Sequence, residues 1–446
     1  MAEQKSSSPV INLRAGLSGN GNQFLAEGTY NINTTGIDLR ADIQQFPMIL
    51  VDPFTAGSLR KSSGYIAGEF DVTGTTEAPK VDGYLEFRDA ATNIVYLQTR
   101  YSIPDNQRIS INNQRIDFGR LRLLDSKQQE ATLSGNIQHR FFQSFNFALN
   151  FKTDQFRFLN TTAKDNDLFY GTLNLSADVD IRGTLELPQI GINARTLAGS
   201  QLYVSTILEE TVGQQASYII FGEPGADPLD SILNVRLENN SYTSLAINLL
   251  LNLELTPDAE LIVVVDPSTG DQLSCRGNAD VTVQMNPVGE VNVSGVYTVV
   301  SGQYNFNYQG LVRRAFDLVP GGRLNFVGDP LDTRFDLSAR YSTRTSVYAL
   351  IGNESSLSES ALREARDRHD VSVSLSMRGD LNQPVISFDL SIPELNNSSL
   401  NTTIDRKLQR LQEDEAELNK QVFGLLLLNS FVAEQSATAV LIPAVA

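Results

Sequence analysis

The chain has no tryptophan, one cysteine, two histidines and four methionines in 446 residues. A single cysteine, Cys275, excludes an intrachain disulfide, which fits the cytosol but also fits long β-proteins of the cell envelope. His139 and His369 have no neighbouring ligand set, so no metal centre is read from spacing. There is no G-x-S-x-G, H-E-x-x-H, P-loop or cysteine pair, so the chain reads as a non-enzyme with no cofactor. No run of about 18 apolar residues exists, so no segment is expected to span a bilayer as a helix. Positive charge is in deficit. Thirty-five Lys and Arg face 52 Asp and Glu, for a net charge of −17, which repels nucleic acid and anionic lipid surfaces. The opening "MAEQKSSSPV" lacks an apolar signal core, so the chain either stays inside the cell or is a piece of a longer one. At 41% hydrophobic and 20% charged residues, it is neither disordered nor an integral helical membrane protein. Its length allows two or three ordinary domains or one elongated repetitive body.

What is present is alternation of period two. In "VSVSLSMRGDLNQPVISFDL", Val371, Val373, Leu375 and Met377 alternate with Ser and Arg, and Ile386, Phe388 and Leu390 resume the pattern. The same spacing recurs at Phe145–Phe151, at Leu173, Leu175, Ala177, Val179 and Ile181, and at Phe335, Leu337, Ala339 and Tyr341. Leu245, Ile247, Leu249, Leu251, Leu253 and Leu255 make one row of six, and Val291, Val293, Gly295, Tyr297 and Val299 another. Strand side chains point to opposite faces, so each run has one apolar face. The fold expected is all-β: an elongated antiparallel sheet with one apolar and one solvated face, followed by a C-terminal helical segment. At roughly 13 residues per strand and turn, ~30 strands fit, an unclosed sheet on the order of 100 Å. Turns are expected at "PDNQ" 104–107, "DPSTGD" 266–271 and "GDP" 328–330. A G-x4-P unit joins alternating runs at Gly74–Pro79, Gly183–Pro188 and Gly379–Pro384. Glycine allows positive φ there, and proline sits where no ladder donor is needed.

Two segments break the pattern. Residues 356–370 read as a short exposed helix between strands. After Pro393 the period becomes helical, with Ile404, Leu408, Leu411, Leu418, Val422 and Leu425 near one face and Glu413, Asp414, Glu415 and Glu417 mainly on the other. "FGLLLLNSFV" follows and is too short to cross a membrane. Isolated polar features each have an ordinary reading. "DPSTGD" suits a hairpin turn more simply than a calcium loop through Asp266 and Asp271. Cys275 reads as a packed or idle thiol. Arg313 and Arg314 are either a solvated pair at a turn or contacts for a lipid phosphate at a rim. The acidic helix run is an ordinary wet face or a partner-docking patch.

Residues 253–341 carry several small motifs in one order. They are the "DP…GD" turn at 266–271, "G-x-Y-x-x-x-x-G-x-Y-x-F" from Gly295 to Phe306, and "AFDLVPGGRLNFVGDP" at 315–330. "G-D-L-N-Q-P" follows at 379–384, with a strand ending in "IPEL", and "LNKQVFGLLLLNSFV" at 418–432. This stretch resembles the C-terminal domain of the TamB family, the elongated subunit of the bacterial translocation and assembly module. The tail resembles the version in Bacteroidota-like members. The resemblance is dense over 240–432 and looser from about 10 to 200. On this basis residues 1–240 are expected to be β-groove repeats, 241–395 a TamB C-terminal-like β domain, and 396–446 an amphipathic helix with an apolar tail. The family's inner-membrane anchor and terminal segment have no counterpart here, so the chain is expected to be a C-terminal portion clipped at both ends.

The resemblance implies that the all-β fold is an elongated, curved antiparallel sheet, a β-groove with an apolar inner face, crossing the periplasm of a Gram-negative-type envelope and meeting an outer-membrane barrel of the TamA or BamA kind. It implies phospholipid transport and support of outer-membrane protein assembly or secretion, with nascent outer-membrane proteins as further partners, and no catalytic residues. The expected groove lining is Leu173, Leu175, Val179, Ile181, Leu245, Ile247, Leu249, Leu251, Leu253, Val291, Val293, Phe335, Leu337, Val371, Val373, Leu375, Ile386, Phe388 and Leu390. The expected turn residues are Gly74, Pro79, Gly183, Pro188, Gly328, Pro330, Gly379 and Pro384. Three other readings stay open. One is a β-sandwich whose apolar faces fill each other. Another is a scaffold or chaperone that adds strands of a client to open sheet edges. The third is an outer-membrane β-barrel, against which short strands and the acidic helical tail weigh.

Overall fold

Alternating runs of 5 to 19 residues build strands, seen in a computed structural model that describes residues 9–19, 22–55, 57–165, 169–205, 246–266, 269–308, 312–351, 357–380, 383–393 and 400–433. The described residues form one 22-stranded sheet. The first half comprises β1 (Val10–Gly19), β2 (Asn22–Asn31), β3 (Gly36–Pro47), β4 (Leu59–Thr75), β5 (Pro79–Ile94), β6 (Thr99–Ile103), β7 (Arg108–Asn112), β8 (Arg115–Leu124), β9 (Glu130–Arg140), β10 (Gln143–Thr161) and β11 (Phe169–Thr184). The second comprises β12 (Pro188–Thr196), β13 (Gln201–Ser205), β14 (Asn248–Leu255), β15 (Glu260–Asp266), β16 (Asp271–Met285), β17 (Val291–Tyr308), β18 (Val312–Leu318), β19 (Arg323–Gly328), β20 (Arg334–Ser346), β21 (Arg368–Asp380) and β22 (Gln383–Ser391).

Spatial order follows chain order. β1 to β5 pair in sequence. β6 and β7 lie end to end along β5 and both meet β8. β8 to β11 continue the sheet. Then β12 and β13 share β11, β14 and β15 share β16, and β18 and β19 share β17. β20 to β22 complete it. Two joins are parallel, β12 with β14 and β13 with β15, where antiparallel pairing was expected throughout. Ser205 and Asn248 are separated by a long stretch of chain, enough for the return that parallel neighbours require.

The end-to-end strands are single strands broken by corners. The four breaks, 104–107, 197–200, 256–259 and 319–322, are four residues each. "PDNQ" is therefore a corner within a strand and not a hairpin: β6 and β7 run in the same direction. Longer strands pass the same line with register shifts, between Thr153 and Phe156 in β10 and between Arg276 and Gly277 in β16. The line of corners is a crease that divides the sheet into two walls. Strands such as β10, of 19 residues, and β17, of 18, run through the crease, so among the described residues the strands are fewer and longer than the ~30 expected. Strand length thus does not weigh against a barrel. What weighs against it is that, among the described residues, β1 pairs only with β2 and β22 only with β21.

A corner frees backbone groups from the ladder, and small polar side chains satisfy them. Thr196 Oγ1 accepts the Thr256 N–H at 2.9 Å, and Thr256 Oγ1 donates to the Thr196 carbonyl at 3.1 Å. Ser200 Oγ accepts the Asn174 N–H at 3.0 Å, and Asp125 accepts the Lys127, Gln129 and Arg157 N–H groups. Tyr101 of β6 donates toward the carbonyls of Arg157 and Phe158 in β10 at 3.1 and 3.2 Å and stacks on Phe156.

Among the described residues four helices follow β20: α1 (Tyr348–Ile351), α2 (Glu359–Arg366), α3 (Asn401–Glu413) and α4 (Glu415–Leu428). The segment 356–370 holds α2, started by Ser358, whose hydroxyl accepts the Ala361 N–H. The tail is two helices, because Asp414 leaves helical backbone (φ −119°, ψ 91°) and its carboxylate caps α4 at the Glu417 N–H. α4 ends at Asn429, in left-handed backbone at φ 52°. No described helix is long and apolar enough to cross a membrane.

Candidate functional site

Register pairing decides which side chains share a face. Phe151, Val179, Ile192, Leu251, Val283 and Val293 are successive partners from β10 to β17. One step toward the strand ends, Leu149, Ile181, Ile190, Leu249, Met285 and Val291 form a parallel row. On the next row, Ala177, Ala194, Leu253, Val281, Gly295 and Phe326 do the same. None of these residues is charged. The face is a continuous apolar strip because every run keeps its parity across each join, parallel joins included.

The strip extends further toward β1 than the expected lining does. Ala15, Ala26, Ala41, Phe70, Gly83, Ile111, Ile116, Ile137 and Phe147 are successive partners from β1 to β10. These residues carry the same alternation, but in runs too short or too glycine-rich to stand out alone. Glycine has a packing role here. A Cβ on Gly83 would lie 2.6 Å from the Phe70 ring, so the ring covers the glycine across the strand pair.

The expected lining falls into two environments. Leu173, Ile181, Leu249, Leu251, Leu253 and Val293 are half-buried on the open part of the face, with Leu175 and Val179 more deeply set. Val291 is 38% exposed. Ile247 precedes β14 and is half-buried, and Leu245 lies outside the described residues. Beyond β17 the face is covered. Val371, Val373 and Leu375 have no exposure, and Phe335, Leu337 and Leu390 are buried with them. Ile386 and Phe388 pack against the same cluster.

The cover is the helical tail. α4 packs on β18 and β22, and α3 on β22. Leu400, Ile404, Leu411, Leu418, Val422, Leu425 and Leu426 are buried in the cluster that holds the strand residues, with Leu408 partly buried beside them. The sheet curls around the helices. Phe306 of β17 and Phe388 of β22 have ring centroids 6.5 Å apart, although on a flat sheet four strand spacings would separate them by about 19 Å. Gln421, 2% exposed, pairs with the Val432 backbone through both amide atoms at 2.8 and 2.9 Å, which holds the chain beyond α4 against it.

The G-x4-P units form three equivalent hairpins. Gly74 pairs with Pro79, Gly183 with Pro188, and Gly379 with Pro384. Each glycine has positive φ, at 94°, 89° and 98°. Gly328, at φ 137°, ends β19, and Pro330 opens a short 3-10 turn. In "DPSTGD", Asp266 and Asp271 are paired across the β15–β16 hairpin, and Pro267 and Ser268 lie outside the described residues. Arg313 and Arg314 are not at a turn. They lie on β18, Arg313 exposed and Arg314 half-buried with its guanidinium 5.8 Å from the Tyr341 ring.

Cys275 is 1% exposed beside Tyr297, and burial pushes its thiol up to about 11. At about pH 8 the native chain is therefore expected to resist a thiol-exchange reagent, with one equivalent reacting once it is unfolded. His139 is also buried. Its Nδ1 accepts the Phe142 N–H at 3.1 Å, and its ring stacks on Phe142 at 4.3 Å. Phe141 and Phe142 turn in left-handed backbone there (φ 53° and 59°), a conformation bulky residues rarely adopt. Burial lowers the imidazole below its usual 6.5. The unfolded chain then binds the proton more readily, so the stability from this group is complete above about pH 6.5 and is lost as pH falls toward the folded value. Melting curves are expected to show a drop in Tm between about pH 7 and about pH 5 that a His139→Leu variant lacks.

A family model described as the TamB C-terminal domain matches residues 119–443, from within β8 to beyond α4. This chain belongs to the TamB family. No curated protein matches it. TamB membership ties the chain to the translocation and assembly module and to outer-membrane assembly. The TamB family is an envelope-associated structural and transport component, associated with TamA-type partners.

Proposed function

We propose that the apolar strip shields the acyl chains of phospholipids on their way between membranes, in the periplasm, and that the chain also supports outer-membrane protein assembly with a TamA- or BamA-type barrel. The full-length protein is read as anchored in the inner membrane. The observation that carries this reading is the succession of uncharged side chains across the paired strands from β1 to β17, half-buried at Phe70, Ile111, Ile137, Leu251 and Val293, on a sheet whose edge strands β1 and β22 do not pair with each other among the described residues.

Exposing a 16-carbon chain to water costs about 12 kcal/mol at ~0.8 kcal/mol per methylene. A continuous apolar strip removes most of that penalty at each position. Movement along it is then close to isoenergetic, requires no chemistry from this chain, and takes its direction from elsewhere. The test is uptake of pyrene-labelled phosphatidylcholine by detergent-free, delipidated protein. Saturable uptake is expected, and absence of uptake at every lipid concentration rejects the reading.

A second reading draws on β1. All ten of its residues are exposed, and one of its edges has no partner among the described residues. Such an edge can add a strand from a client. On that reading Asn12→Pro, which removes an N–H facing the open edge, stops client binding, whereas charges placed on the apolar face matter little.

A further inference from the structure

We infer that acyl chains enter and leave the trough sideways, over the rim formed by the β11–β12 and β16–β17 turns, and do not pass along the sheet beyond β17. This rests on the acyl-shielding reading. Two of the other ways out are closed. The floor is a hydrogen-bonded sheet whose crease is sealed by the Thr196–Thr256 pairing. The way forward is filled by α3 and α4, under which Val371, Val373 and Leu375 have no exposure. A chain that reaches β17 along the strip must therefore cross a rim or turn back.

The wall at β17 opens toward one rim. Exposure rises from 2% at Tyr297 through half-buried Val293 to 38% at Val291, and reaches 80% at Val288 in the adjoining turn. The neighbouring β11–β12 turn presents Leu187 at 42%. The two turns lie on the same side of the sheet, because Ile190, Leu249, Met285 and Val291 link them by direct register. That places them about 14 Å apart, three strand spacings. Turns are ordinarily made from Gly, Pro, Asn and Asp. Large apolar side chains held in solvent at two adjacent turns, beside the ends of the apolar row at Ile190 and Val291, give an acyl chain apolar contacts across a lip that also carries Glu186 and the Asn286–Glu290 pair.

The experiment follows transfer of pyrene-labelled phosphatidylcholine from zwitterionic vesicles to the chain and reads rate and plateau separately. The double variant Leu187→Ser/Val288→Ser is expected to load at least about fivefold more slowly with an unchanged plateau, since two apolar contacts are lost only along the path. Ile49→Ser/Leu50→Ser, exposed at the β3–β4 connection on the other rim, is expected to load at the normal rate. Normal loading by the first variant overturns the inference, as does equal slowing by both or a lowered plateau in the first. All these positions are exposed, so folding is checked only by an unchanged Tm. If the unmodified protein shows no plateau at all, the acyl-shielding reading fails and this inference falls with it. That result is distinct from a rate that ignores the rim.

Discussion

Leu251→Arg is expected to abolish lipid uptake, whereas Leu250→Arg, one residue away, leaves it intact. Leu251 lies on the apolar face between Ile192 and Val283 and is half-buried. Leu250 is 43% exposed on the opposite face, between Gly191 and Gln284. An arginine at 251 can lay its methylenes on the strip and lift its guanidinium to water, so the fold is expected to lose no more than about 1–2 kcal/mol. An acyl chain passing that point must strip water from the charge or leave the strip. Either costs several kcal/mol, which is at least about a hundredfold in affinity. Pyrene-lipid titration of the two variants reads the difference directly. Equal uptake by both would remove the face from the mechanism.

Val373→Asp should instead unfold the C-terminal part of the sheet. Val373 has no exposure, pairs with Tyr341 and Leu390, and belongs to the cluster that takes in α3 and α4. The substitution removes a buried aliphatic side chain and adds a carboxylate with no partner there. Together these cost at least about 4 kcal/mol, in the range where a named burial defect dominates. A lowered urea midpoint and loss of amide protection in α3 and α4 are the readouts. The defect has a pH signature. Burial raises the pKa of the new carboxyl above its unfolded value of about 3.9, so the deficit is full above the raised value and shrinks as pH falls toward the unfolded one. A variant as stable as the parent at neutral pH would mean that the helices do not seal this face.

Leu251 and Val373 look alike in the sequence. Both sit in runs of clean alternation, and both fall within the lining expected from the pattern. Alternation reports that a residue is on the apolar face, but not what lies across from it. The helical period after Pro393 was equally legible, together with its apolar stripe through Ile404, Leu411, Leu418 and Val422. Where that stripe docks is a matter of contacts more than twenty residues away in the chain, and local spacing carries no record of them. The corner at "PDNQ" was read as an ordinary turn for a related reason. A turn that reverses the chain and a corner that bends it draw on the same residues, and only the strand alongside tells them apart.

The TamB-family character, the alternation, the three Gly–Pro hairpins and the helical period of the tail are written in local spacing, because side-chain parity and backbone φ are properties of neighbouring residues, whereas the break of that tail into two helices at Asp414 was not read there. Which part of the apolar face is open and which is filled was decided only by the tertiary structure. The curl of the sheet brings strands four spacings apart into ring contact and gives α3 and α4 a face to cover beyond β17, while Leu249, Leu251 and Leu253 of β14 stay half-buried on the open part.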